Sequence, residues 1–183
     1  MPLTLDDLMQ MDRHQLHAIV SKAHPIDPDA LDGQQYLGVD LSLPGFMNQI
    51  LWKTFRKSFL RDPETGAVRG WNTRMEQTGV TGPQVPKTKD GHDWTFAHYE
   101  LRSAEGLRFP WGWKGQHYLD YGVVGNPFGE NLGYTPLVAV NEGDSSLLLG
   151  WEIFRIAGCN LPLPDYWALK LDGPIGYVAP RLR

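Results

Sequence analysis

Cysteine is nearly absent: Cys159 stands alone in 183 residues, so no intramolecular disulfide and no cysteine-built metal framework can form. Clustered positive charge is absent too. The 17 basic and 21 acidic residues leave a net charge of −4 with no long Lys/Arg block, which argues against a nucleic-acid partner because phosphate binding needs grouped cations. No apolar run reaches the roughly 18–20 residues that span a bilayer, so no membrane span is expected. Asp6, Asp7 and Asp12 occupy the stretch where a secretory leader would be basic and then apolar. A reducing cytoplasm is the setting these absences predict. The glycine-rich segments lack a Lys-Ser/Thr follower, which excludes a phosphate-binding loop, and no cofactor is expected. His14, His17 and His24 have neither a cysteine nor a glutamate at ligand spacing; solvation on a helix accounts for them, and no metal site is expected.

Aromatic and turn-forming residues are abundant. Seven Trp, seven Tyr and seven Phe, within 42% hydrophobic residues, supply the core of one domain over residues 1–183. Twenty Gly and 14 Pro imply many turns and therefore many short strands. Thr4 is followed three residues later by Asp7, and Leu8, Met11, Leu16, Ile19 and Val20 keep an apolar stripe. This predicts one N-terminal helix that ends before His24-Pro25. Residues 25–33 read as an arm onto a body spanning 34–183, and residues 36–43 as its first strand. Pro44-Gly45 opens a second predicted helix over residues 44–61, with Phe46, Ile50, Leu51, Phe55 and Phe59 on one side and Lys53, Arg56, Lys57 and Arg61 largely on the other.

Beyond Asp62-Pro63-Glu64-Thr65-Gly66 the texture changes to strands, over residues 67–75, 93–102, 116–124, 137–142, 146–157 and 166–171. Residues 77–91 read as a long loop and Gly143-Asp144 as a hairpin reversal. Strands joined by short connections without helices predict an antiparallel meander, since parallel neighbours need long crossovers. Curling such a sheet onto itself removes its edges. The expected fold is therefore mainly β, a meander closing or nearly closing into a barrel, with an N-terminal helix and a second helix near residues 44–61.

Both faces of several strands carry large aromatics. Trp94, Phe96, His98 and Glu100 share one face of residues 93–102; Tyr118 and Asp120 share one face of 116–124; and Glu152 and Phe154 oppose Trp151 on 146–157. A titratable group beside large apolar side chains is the anatomy of a small-molecule pocket. Trp94, Phe96, Tyr118, Trp151 and Phe154 are its expected walls. Asn72, Arg74 and Glu152 are expected to meet the polar end of a ligand, and Arg74 is able to grip a carboxylate with two hydrogen bonds. His98 stands two residues before Glu100, a spacing that lets a carboxylate orient an imidazole, and with Asp120 these form the candidate catalytic set. For each charged residue the alternative is a solvated strand face, because one bulge reverses a period-two assignment. Trp111 and Trp113, within residues 109–115, form either an exposed binding surface or a plug for the barrel end.

Helix, strand, helix and then strands marked by Gly70-Trp71, Gly112-Trp113 and Gly150-Trp151 resemble the lipocalin and fatty-acid-binding (calycin) superfamily of ligand-holding barrels. Leu31-Asp32-Gly33-Gln34-Gln35-Tyr36-Leu37-Gly38 is similar to the start of bacterial lipocalin-like domains that open with Gly-x-Trp-x-Gly, with Tyr36 in place of the tryptophan. The resemblance implies a lipocalin-like β-barrel holding a small hydrophobic or amphipathic molecule. Two other functions stay open: an isomerase, cyclase or hydrolase on the same barrel using His98 with Glu100 or Asp120, and a protein-interaction module using the basic helix or the Trp111/Trp113 loop.

Overall fold

Each barrel strand pairs antiparallel with the barrel strand before it in the chain, and the last returns to pair with the first. In this computed structural model, which describes residues 1–41, 53–123 and 125–182, the strands are β1 (Gln34–Asp40), β2 (Thr54–Arg61), β3 (Val68–Arg74), β4 (Thr88–Lys89), β5 (His92–Asp93), β6 (Thr95–Ser103), β7 (His117–Asp120), β8 (Tyr134–Asn141), β9 (Asp144–Ile156) and β10 (Cys159–Pro174). Eight of them close in the order β1-β10-β9-β8-β7-β6-β3-β2, every neighbour antiparallel, while β4 and β5 pair only with each other. Because β1 bonds to both β2 and β10, the barrel has no free edge. The layout is mainly β, with eight antiparallel strands and helices at the N-terminal end, and is consistent with a calycin-like fold.

A closed sheet has two faces, and this chain buries apolar residues on both. Inside, Tyr36, Phe59, Tyr99, Leu119, Leu137, Leu148 and Leu169 come from β1, β2, β6, β7, β8, β9 and β10 and form one cluster, closed at one end by Ile26 and Leu31 of the arm. Gly70 of β3 leaves the space that the Tyr99 ring occupies, since a Cβ there would stand 2.3 Å from it. Outside, Leu8, Leu16, Ile19 and Val20 pack over Val138, Leu147, Leu149, Trp151 and Ala168 of β8 to β10. The Trp113 indole N–H donates to the Val20 carbonyl at 3.0 Å, which fastens the loop after β6 to the same layer. Two-sided burial is thus why aromatics populate both faces of the strands.

Three expectations are corrected. The N-terminal helix is two helices, α1 (Leu5–Met9) and α2 (Arg13–Lys22), followed by a single turn α3 (Pro28–Leu31). Asp12 and Gln15 form a second capping box, reciprocal bonds of 2.9 Å that restart the helix after Met11. The helix expected over residues 44–61 is wrong over Thr54–Arg61, which is β2; residues 44–52 of that expectation lie outside the described residues. β2 pairs along its length with β1 and β3, and Asp62 accepts from the Glu64 and Thr65 amides to make the β2–β3 turn. Ladder bonds to two neighbours outweigh a helical stripe of weak periodicity. Within the expected loop 77–91, Met75 bridges to Pro86 and β4 opens the small hairpin with β5.

Gly150 faces inward where a Cβ would lie 2.3 Å from the Trp167 ring. Gly150→Ala is expected to destabilise by about 1–3 kcal/mol through overpacking, read as a lower urea midpoint with a shift in tryptophan emission; an unchanged midpoint would show that Trp167 is not packed there.

Candidate functional site

The inner end opposite the arm is not filled. A cavity of about 240 Å³ opens there, walled by Phe55, Phe96, Phe154 and Trp167 and floored by Lys57, Asn72, Tyr121 and Glu152, with the 129–133 segment at its rim. Lys57 reaches it because β2 alternates: Phe55, Lys57 and Phe59 face inward, and Lys57 sits between Tyr36 of β1 and Asn72 of β3 in register. Its side chain is only 1% exposed. Nζ donates to Asn72 Oδ1 at 2.8 Å and to the Tyr121 hydroxyl oxygen at 2.7 Å. The rings of Tyr99, Trp167, Tyr121 and Phe55 surround it, with centroids 4.4, 4.8, 5.2 and 5.6 Å away. Glu152 is fixed by the Thr135 hydroxyl at 3.2 Å and the Trp167 indole N–H at 3.3 Å. Among the described residues no ion pair joins Lys57 to Glu152, although both line the cavity.

A backbone irregularity joins this floor to the mouth. Ala97 has φ +42°, and β6 and β3 shift register between Gly70 and Asn72, the signature of a bulge. Asn72 Nδ2 donates to the Ala97 carbonyl at 2.9 Å, and the Ala97 amide donates to Glu130 Oε2 at 2.6 Å. One residue on, the His98 amide donates to Asn126 Oδ1 at 3.0 Å, and Asn126 Nδ2 donates to the His98 carbonyl at 2.6 Å. The loop between β7 and β8 is therefore stitched onto the bulge.

The bulge also decides where the sequence-predicted residues lie. Phe96 pairs with Asn72 and Tyr99 with Gly70, so both face in, while His98 and Glu100 turn to the outer wall. There His98 lies 6.5 Å from the Trp71 ring, and burial with the neighbouring Arg69 charge pulls its imidazole down to about 4. Glu100 and Asp120 are brought together, facing each other in register and sharing Arg102 at 2.8 and 3.2 Å. No hydrogen bond among the described residues joins the His98 ring to either carboxylate. Of the predicted ligand contacts, Asn72, Phe96, Glu152 and Phe154 meet at the cavity. Arg74 stacks on Trp94 and Phe96 with centroids 4.4 and 5.1 Å from its guanidinium carbon, beside the mouth. Tyr118 and Trp151 belong to the outer layer, Tyr118 against Tyr134 at 4.3 Å and Trp151 under Trp111 at 4.8 Å. Trp113 is buried in the outer layer rather than in the barrel end, and Trp111, 67% exposed, stacks on Trp151 from outside.

Lys57 and Tyr121 are the cavity-floor residues that the sequence reading passed over. A helical period placed Lys57 on a solvated side; the signal that finds it is Phe55-x-Lys57-x-Phe59 running straight into a turn.

The chain has no significant match to a family model, a curated protein or a solved structure. Its likeness to the calycin barrels rests on the eight-stranded antiparallel layout.

Chemically, the floor holds a base and an acid driven toward each other. Burial pulls the Lys57 amine down to about 7, against a smaller upward pull from Glu152. Burial pushes the Glu152 carboxyl up, opposed by its bonds from Trp167 and Thr135 and by the Lys57 charge. Between about 7 and the ordinary value of 10.5, the unfolded chain holds a proton on Lys57 that the folded chain has released. Stability therefore rises with pH across that window and carries the full penalty of the buried ammonium below it. Measured against Lys57→Met by urea unfolding at pH 6, 8 and 9.5, the native chain should gain stability with a slope approaching about 1.4 kcal/mol per pH unit. A pH-independent difference would mean that Lys57 titrates as an exposed lysine does.

Proposed function

We propose that the barrel binds one small, flat, largely apolar molecule bearing a polar head. The observation that carries this reading is the cavity of about 240 Å³ whose walls are four aromatic rings and whose floor concentrates an amine, an amide, a phenol and a carboxyl group. Apolar walls with a few convergent polar groups are how small-molecule sites combine affinity with orientation. The volume lies just under the roughly 300–1,000 Å³ of drug-sized sites, which favours a single ring with a short substituent over an enclosed long acyl chain. The polar head points to Lys57, Asn72 and Tyr121, and the ring lies between Phe55, Phe96, Phe154 and Trp167.

The same reading gives Arg74, Trp94 and Glu130 the role of a polar rim. It assigns His98, Glu100 and Asp120 no contact with the ligand, since they stand on the outer wall.

Titration with benzoate, phenol and benzaldehyde, followed by tryptophan fluorescence, tests it. Saturable quenching with Kd between roughly 1 µM and 1 mM is expected, equivalent to about −8.2 to −4.1 kcal/mol and inside the per-atom limits for ligands of this size. The signal should be lost in Trp167→Phe, and Phe154→Ala should weaken binding by about 1–2 kcal/mol as one wall is removed. No saturable response from any of the three would overturn the reading.

A further inference from the structure

Nothing in barrel folding asks for an amine at the inner wall of a cavity. A ligand carboxylate would be met as well by an arginine, whose fork matches two oxygens. A lysine differs in one capacity: when neutral it has a lone pair and is a nucleophile. The hydrogen bonds of Lys57 match that form, while the four ring faces around it suit the ammonium as well. An ammonium has three N–H donors, whereas two acceptors reach Nζ, Asn72 Oδ1 at 2.8 Å and the Tyr121 oxygen at 2.7 Å. Two acceptors satisfy a neutral amine and leave its lone pair.

The placement of the amine supports the same form. Lys57 lines the cavity with only 1% of its surface exposed, and Glu152 lines it too, held by Thr135 and Trp167, with no ion pair between them among the described residues. The arrangement offers a carbonyl compound an aromatic slot, an amine beneath it and a carboxyl group beside it.

We propose that Lys57 is a covalent attachment point: its Nζ adds to the carbonyl carbon of a small aromatic aldehyde seated between Phe55, Phe96, Phe154 and Trp167, and condenses with it to an imine. This rests on the ligand-binding reading above and names its ligand class. The Nζ lone pair forms the C–N bond while the carbonyl π pair moves to oxygen. That oxygen takes a proton and the nitrogen gives one up, producing the carbinolamine. Protonation of the hydroxyl then lets it leave as water while the nitrogen lone pair forms C=N, and loss of the remaining N–H proton gives the neutral imine. The sum is amine plus aldehyde to imine plus water, with no oxidant or reductant. Glu152 is the group on the cavity floor that lends and recovers these protons. Burial pushes the Glu152 carboxyl up and pulls the Lys57 amine down, which moves the acid and the nucleophile toward one another in titration.

At pH 7 a lysine at the ordinary value of about 10.4 is neutral in roughly one molecule in 2,500, whereas one lowered to about 7 is half neutral. The full chain is incubated at pH 7 with benzaldehyde, reduced with cyanoborohydride and mapped by mass spectrometry. The exposed Lys22, Lys89, Lys114 and Lys170 serve as internal references.

One benzyl group on Lys57, at an occupancy at least about tenfold above any reference lysine and suppressed by excess benzoate, is the expected result; the tenfold floor stands well inside the free-amine ratio. Labelling confined to the exposed lysines, or none, overturns the proposal. If benzaldehyde still quenches tryptophan and competes with benzoate, the imine fails while the carrier stands; if no ligand saturates and nothing is trapped, both fail. Lys57→Arg, checked for folding by circular dichroism, should lose the adduct. Because the map is made on the native chain, the outcome does not depend on that variant folding.

Discussion

A primary amine buried in a β-barrel dictates much of what surrounds it. Removing an ammonium from water is unfavourable by several kcal/mol unless donors are met or the proton leaves, and around Lys57 both responses occur. Asn72 and Tyr121 accept its N–H groups, four aromatic rings face it, and burial shifts its titration downward. Each partner then needs support. Asn72 uses its other end on the Ala97 carbonyl, which fixes the bulge; the bulge presents the Ala97 amide to Glu130; and Asn126 holds the next residue on both its backbone groups. A chain of hydrogen bonds thus runs from the interior amine to the loop at the mouth.

The two ends of the barrel divide the labour. Toward the arm, the Tyr36, Phe59 and Tyr99 rings interlock at 5.5–5.6 Å and aliphatic side chains fill the rest, so that end is core. The Tyr99 hydroxyl donates to the Ser58 carbonyl at 2.7 Å, and the ring occupies the space left by Gly70. Packing of that density locks the β2–β3–β6 side, and the open end can stay hollow because rigidity is supplied below it and from the outer helical layer. The same division explains the tryptophans: Trp167 is a cavity wall, whereas Trp113 and Trp151 work outside, each with its indole N–H on a carbonyl, of Val20 and Leu163.

Much of this fold was legible because its signals are local. Alternation and Gly/Pro punctuation mark β3 and the strands from β6 onward, and Gly143, at φ +73°, sits in the reversal between β8 and β9 as its sequence suggests. What was illegible depends on pairing. Thr54–Arg61 reads equally as an amphipathic helix until β1 and β3 are set beside it, and with that misreading Lys57 falls to the wrong side. The Ala97 bulge carries no residue signature, since an alanine at positive φ is there because Glu130 and Asn72 hold it, from 33 and 25 residues away. One extra residue flips the faces downstream, which separates Phe96 from His98 and puts Glu100 on the outside with Asp120 and Arg102.

A buried charge-capable group is weak evidence for stability, because an apolar side chain of similar volume commonly folds as well or better. A methionine at position 57 would satisfy the same rings, and leucines at 72 and 121 would need no partners. The interior instead keeps lysine, asparagine, tyrosine and glutamate together around the hollow end. Where a chain breaks the pattern that would stabilise it most simply, and does so with several mutually supporting polar groups, the local exception points to function. The solid end shows that this sequence can fill a barrel; the polar floor of the hollow end marks where that apolar filling stops.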